Sequence, residues 1–366
     1  IYVTGYFAST ATFGGTSIVT NGGYDIFVAK LNSSGSWMWA LGAGGPYEDN
    51  GSAIAVEPSG DVYVTGYFGG GIVKFGSNSL LSSGDTDIFV AKVSNDGYWS
   101  WSMNGGGTNA DRGSGIATDS AGNVYVTGSF SGITTFGSTS LFGEMIDFFI
   151  LSLPTELTLK SQFSSVMTGT GTSNVAGQAI VVDSSGNAFV TGKFHGTATF
   201  GTISLVSMGS YDIFVAMLSE SGTWSWAVKG GGTDNDAGIG IVIDSLGYIW
   251  VTGTFAGAAT FGTTTLVSSG QQDIFVAILT STGSWSSGGG GSAIRAGGTQ
   301  FDVVSDIAID WSDDIYLTGQ FQGTSYFGST SLTSSSGYDI FVAKVGRGEW
   351  PWAVKAGGSG TENGYG

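Results

Sequence analysis

Apolar residues in this chain come in short bursts. Runs such as NVYVTGSF (123–130), DIFVAK (25–30) and SWMWAL (36–41) are strand-length and rich in Val, Ile and aromatic residues. Glycine-bearing turns such as SAGN (120–123) and NSSG (32–35) lie between them. β-Branched and aromatic runs bounded by such turns predict hairpins. No segment sustains an apolar period of 3.6 residues, so the pattern predicts almost no helix.

The bursts recur in step. YVTG stands at 2–5, 63–66 and 125–128, and returns as FVTG at 189–192, WVTG at 250–253 and YLTG at 316–319, at intervals of 61, 62, 64, 61 and 66 residues. DIFVAK or a close variant follows each tetrad, at 25–30, 87–92, 147–152, 212–217, 273–278 and 339–344. TFG or a near copy keeps the same step, and a Trp-x-Trp pair appears at 37–39, 99–101, 224–226 and 350–352. One unit therefore reads as four strands: IATD at 116–119, the YVTG strand, the DIFVAK strand and a Trp-bearing strand. A looser stretch carrying TFGSTSL (135–141) joins the second to the third.

In DIFVAK, Ile and Val point to one face while Phe and Ala point to the other. Both faces are apolar, so the sheet must be covered on both sides. A four-stranded sheet covered by copies of itself is a β-propeller blade. The expected fold class is all-β, a β-propeller of four-stranded blades with six repeats visible and residues 1–366 forming one domain. A solenoid is the competing repeat architecture, but its coils are shorter and its strands pair between repeats. The chain opens inside a second strand and ends at ENGYG (362–366), where another first strand is due. The pattern thus predicts an unfilled first-strand position in the first blade, to be completed by downstream sequence or another chain, with seven or more blades in a longer array.

The composite unit GxxIAVDSSGNVYVTG…DIFVAKLNSSGSW…GG resembles the bacterial and archaeal β-propeller repeat often called the SBBP repeat. The resemblance covers essentially the whole chain. It implies the propeller fold and a secreted or surface-displayed prokaryotic protein, and it implies little about activity.

Composition narrows the chemistry. With 65 Gly, 4 Pro and only 11% charged residues beside 41% hydrophobic ones, the chain has ample core material and many tight turns. The net charge of −17 and only 11 scattered Lys and Arg argue against nucleic acid and against an anionic membrane surface. No apolar run reaches the roughly eighteen residues a membrane helix needs. There is no Cys and a single His, His195, so Ser-His-Asp triads, Cys-His pairs and His-rich zinc sites lack their parts.

Acidic residues recur with the repeat. Asp25, Asp87, Asp147, Asp212, Asp273 and Asp339 open third strands, and Glu57, Asp119, Asp183, Asp244 and Asp310 end first strands. Asp49, Asp111, Asp236, Asp302 and Glu362 sit in the linker between repeats, where the third unit has Asn174 and Val175 instead. These are 16 of the 28 carboxylates, so blade geometry places most of the negative charge. Turn pinning explains the first two sets. The linker set, Asp49, Asp111, Asp236 and Asp302, is the candidate metal set, since Ca²⁺ takes several oxygen ligands, although one carboxylate per blade is thin.

The Trp pairs, two residues apart and hence predicted to share a strand face, suggest either packing between blades or a sugar platform. SNDGYW (94–99) and SESGTW (219–224) faintly match the Asp-box of sialidases, but the spacing is wrong, and Arg112, Arg295 and Arg347 occupy a linker, an outer strand and a turn. Asn32 and Asn50 head Asn-x-Ser sequons. No catalytic residue is predicted. The expected role is a non-catalytic extracellular structural or adhesive module, with other surface proteins or further copies of itself as partners and no resident cofactor beyond the Ca²⁺ candidate. A glycan-binding, lectin-like propeller is the alternative, and a carboxylate-dependent glycoside hydrolase the third reading.

Overall fold

The computed structural model describes residues 1–154, 165–286 and 291–362. Among the described residues every regular element is a strand. The chain forms two compact units, residues 1–170 with 182–186 and residues 171–181 with 187–366.

In the first unit, Tyr2–Phe13, Thr16–Leu31 and Trp37–Ala43 make a three-stranded antiparallel sheet. The next repeat is four-stranded: Asp49–Val56, Val62–Gly69, Thr86–Val93 and Trp99–Gly107. The third comprises Arg112–Thr118, Val124–Phe136, Thr139–Leu153 and Ser165–Gly171. The second unit carries three more antiparallel repeats of the same order, opening at Val175–Val182, Ala237–Ile243 and Asp302–Ile309. The segment 154–169 that replaces the Trp pair in the third repeat, and the SGGGG insertion after Trp285, fall partly outside the described residues.

Third strands are covered on both faces, as their sequence requires. Ile88, Phe89, Val90, Ala91 and Val93 are all buried, alternating between two apolar clusters. Ile274, Val276 and Ile278 face one cluster of the second unit, and Phe275, Ala277 and Leu279 face another.

The YVTG tetrad has a mechanical meaning. Its Thr donates to a backbone carbonyl of the third strand in every repeat, for example Thr65 Oγ1 to Phe89 O at 2.8 Å and Thr252 Oγ1 to Phe275 O at 2.8 Å. Its Gly lies where two neighbours converge. A Cβ on Gly66 would stand 1.9 Å from Asn50 O and 2.9 Å from Phe89 Cε1. The first strand bulges here, between Gly51 and Ala53, which brings its carbonyl this close.

The looser TFG stretch is itself a hairpin. Ile72–Phe75 pairs with Asn78–Leu81, Thr197–Phe200 with Ile203–Val206 and Ala258–Phe261 with Thr264–Val267. In the first, third and sixth repeats it continues the long second and third strands. The glycine of TFG turns each hairpin at φ between 59° and 63°, a left-handed conformation that favours Gly. The few apolar residues of the stretch, scattered among Ser, Thr and Gly, make too weak a pattern to read as strand.

These hairpins also bond to the preceding repeat. The Gly-Gly end of a fourth strand pairs with them: Gly106 and Gly107 with Thr135 and Thr134, Gly231 and Gly232 with Thr260 and Ala259, Gly297 and Gly298 with Tyr326 and Ser325. Inter-repeat pairing, expected of a solenoid, is thus present here as a two-residue seam between otherwise separate blades.

Candidate functional site

The recurring carboxylates are pinned within the fold. Among the strand-opening residues, Oδ2 of Asp25, Asp87, Asp212, Asp273 and Asp339 accepts the backbone N–H four residues earlier, at 2.6 to 3.2 Å. Linker carboxylates repeat the device. Asp49 accepts from Gly45 N at 2.7 Å and Gly69 N at 3.1 Å, and Asp236 from Gly232 N at 2.8 Å and Ala256 N at 3.1 Å. Asp111 takes Gly107 N, Ser131 N and Thr134 Oγ1, and Asp302 takes Gly298 N and Ser325 Oγ. Glu362 accepts from Gly358 N at 3.2 Å. Asn174, which replaces the linker Asp, instead donates Nδ2 to the Tyr211 hydroxyl at 2.8 Å.

Each Gly-Gly pair runs between one strand-opening and one linker carboxylate. A Cβ on Gly231 would lie 2.9 Å from Asp212 Oδ1 and 2.9 Å from Asp236 Oδ2. Oδ1 of Asp25, Asp87, Asp212, Asp273 and Asp339 is buried with no hydrogen-bond donor. Burial, reinforced by the neighbouring carboxylates Asp25, Asp212 and Asp273, pushes Asp49, Asp236 and Asp302 up to about 7. Burial likewise lifts Asp87 and Asp111 to about 6.

For calcium, this donor set fits poorly. Both oxygens of Asp49, Asp111, Asp236 and Asp302 already face N–H or O–H donors, whose hydrogens point where a cation needs lone pairs. Among the described residues, no three Asp, Glu or His side chains gather where one ion could be held.

The Trp pairs do not share a face. Trp37 is paired with Leu31 and Trp39 with Lys30, adjacent residues of the facing strand, because the fourth strand bulges between the two tryptophans. The same shift separates Trp99 from Trp101 and Trp224 from Trp226. The pair is thereby split. The first ring stands edge-on to the TFG phenylalanine, as Trp99 does to Phe75 at 5.0 Å, and its indole N–H reaches the preceding repeat at Gly42 O. The second ring leans on the tetrad aromatic, as Trp39 does on Tyr2, and donates to the following repeat at Asn95 O. The rings act as pins between neighbouring repeats.

The remaining candidates are engaged locally. His195 is exposed, with Nδ1 2.9 Å from Ser173 Oγ. Arg112 lies over the Tyr67 ring, Arg295 pairs with Asp273 at 2.8 Å and Arg347 with Asp244 at 3.1 Å. Asn32 caps its own turn through Ser34 N and Ser36 N, whereas Asn50 opens onto a crevice.

That crevice lies wholly within the first unit. It holds about 190 Å³ and is lined by Tyr6, Tyr24, Glu48, Asp49, Asn50 and Tyr67. Tyr6 and Tyr24 meet edge to face at 5.2 Å and are each nearly half exposed. The residue after the tetrad is Tyr in the first two repeats but Ser129, Lys193, Thr254 and Gln320 in the others. That departure from the repeat is the sequence signal that could have marked the site.

Residues 105–129 match the family model described as a beta-propeller repeat. With the antiparallel four-stranded repeats, this gives an all-β fold of β-propeller repeats. Among curated proteins nothing matches the chain. A similar solved structure is the crystal structure of a protein of unknown function from Bacteroides caccae, 9% identical, covering 96% of this chain and 93% of that one with a TM-score of 0.41.

Proposed function

Starting from a chain that carries the β-propeller repeat, we propose that it serves as a non-catalytic structural or adhesive module outside a prokaryotic cell, holding other surface proteins or further copies of itself. One observation carries the reading. Side chains that recur in every repeat are occupied inside the fold, whereas those opening onto the crevice, Tyr6, Tyr24, Glu48 and Asn50, stand at positions whose residue varies among the repeats. A scaffold held constant with its variable positions turned outward suits recognition. Glycan binding, the second reading, draws on the same exposed tyrosine rings.

Beads coated with the chain should adhere to protein-coated surfaces, and the chain should turn over no member of a chromogenic glycoside panel. Hydrolysis of any glycoside at enzymatic rates would overturn the reading. Adhesion restricted to glycan-coated surfaces would replace it with the lectin.

A further inference from the structure

The repeats supply their own guide to what the crevice holds. In the second repeat Tyr67 follows the tetrad, and the next linker places Arg112 directly after Asp111, with its guanidinium carbon 4.9 Å from the Tyr67 ring centre. In the fourth repeat Lys193 follows the tetrad and stands 5.0 Å over Tyr211, the residue preceding the strand-opening Asp212. The fold thus seats a cation on a tyrosine in two equivalent places.

In the first crevice both tyrosines are present and neither cation is. Asn50 occupies the place of Arg112, and Tyr6 that of Lys193, so the Tyr6 and Tyr24 rings, packed edge to face on each other, stay nearly half exposed with no cation on them. The residue before the linker Asp is Glu48 here, but Ala110, Asn235 or Phe301 elsewhere, so at this position the first crevice has an exposed carboxylate. Aromatic faces beside a carboxylate, in a chain of net charge −17, favour a cation over a neutral or anionic group.

We propose that the crevice at Tyr6, Tyr24, Glu48 and Asn50, beside the Tyr67 ring that already carries Arg112, seats a guanidinium group, the arginine side chain of a partner protein. The planar guanidinium stacks on a tyrosine face while its N–H groups meet Glu48. This deepens, and rests on, the adhesive-module reading.

The test titrates the whole chain with N-acetyl-arginine amide, its neutral citrulline counterpart and a methyl glycoside, followed by NMR. Saturable binding of the arginine compound, at least about tenfold tighter than citrulline, is expected. Asn50→Arg copies the neighbouring repeat and should abolish binding by filling the crevice from within. Glu48→Gln, at an exposed position, should weaken it about fivefold. Equal binding of citrulline, binding of the glycoside alone, or unchanged affinity in Asn50→Arg overturns the proposal. Should Asn50→Arg fail to fold, unchanged affinity in Glu48→Gln does the same. Bead adhesion that persists in Asn50→Arg rejects the crevice while leaving the module reading intact.

Discussion

At the scale of single residues, the repeated letters of the tetrad divide the work. Thr65 is fully buried and its hydroxyl serves a neighbouring carbonyl, so Thr65→Val keeps the shape and removes one hydrogen bond. Urea denaturation should show a loss of about 1 kcal/mol. Gly66→Ala is expected to be far worse, because its methyl would meet Asn50 O at 1.9 Å and the first strand would have to move. A loss of about 3 kcal/mol or more is expected in the same measurement, and a near-neutral result would show that the bulge relaxes freely. The recurrence of YVTG was plain in the sequence, but its reasons were not, since the carbonyls it serves lie on other strands. The Trp pair shows the opposite failure. Counting residues along an unbroken pleat places Trp37 and Trp39 together, and one bulged residue, Met38, turns them apart.

At the scale of the element, the paired carboxylates flanking each Gly-Gly end make folding sensitive to pH. Asp49, Asp236 and Asp302 are held at about 7 in the folded chain against 3.8 for an ordinary aspartate. The folded state therefore binds more protons, and the stability they contribute is full below about 4 and lost as the pH rises through about 7. Opposing this, Lys92 lies 2.9 Å from Glu57 and 3.1 Å from Asp61, which are held below their usual values, so they favour folding above those values and lose that contribution in acid. Melting temperature should fall between about pH 4.5 and 7.5, and Asp236→Asn, permanently neutral, should flatten that slope. A melting temperature that rises across this interval would reject the account. Third strands and turns were legible because period-two apolar patterning and Gly turns are local signals. The TFG hairpins were not, because their few apolar residues, scattered among Ser, Thr and Gly, make a weak pattern although their strands pair locally.

At the scale of the whole molecule, the sixty-residue period was enough to read the all-β class and the propeller repeat, since a two-faced apolar sheet has few ways to be covered. The crevice stayed hidden because it depends on which columns of neighbouring repeats stand side by side, as Tyr6 and Asn50 do. Calcium offers a direct check at this scale. With backbone N–H groups filling the linker carboxylates, the melting temperature should be the same in excess calcium and in excess chelator. A stabilisation of several degrees by calcium would mean that the caps open to admit the ion.

The two-residue seams limit how such a chain can change in length. The Gly-Gly ends at 106–107, 231–232 and 297–298 draw hydrogen-bond partners from the hairpin that follows, so a repeat excised between two such seams would present bare backbone on both flanks. Ancestral growth or loss must then proceed in whole periods with the seam in phase. A fractional duplication would leave two edges that do not recognise each other.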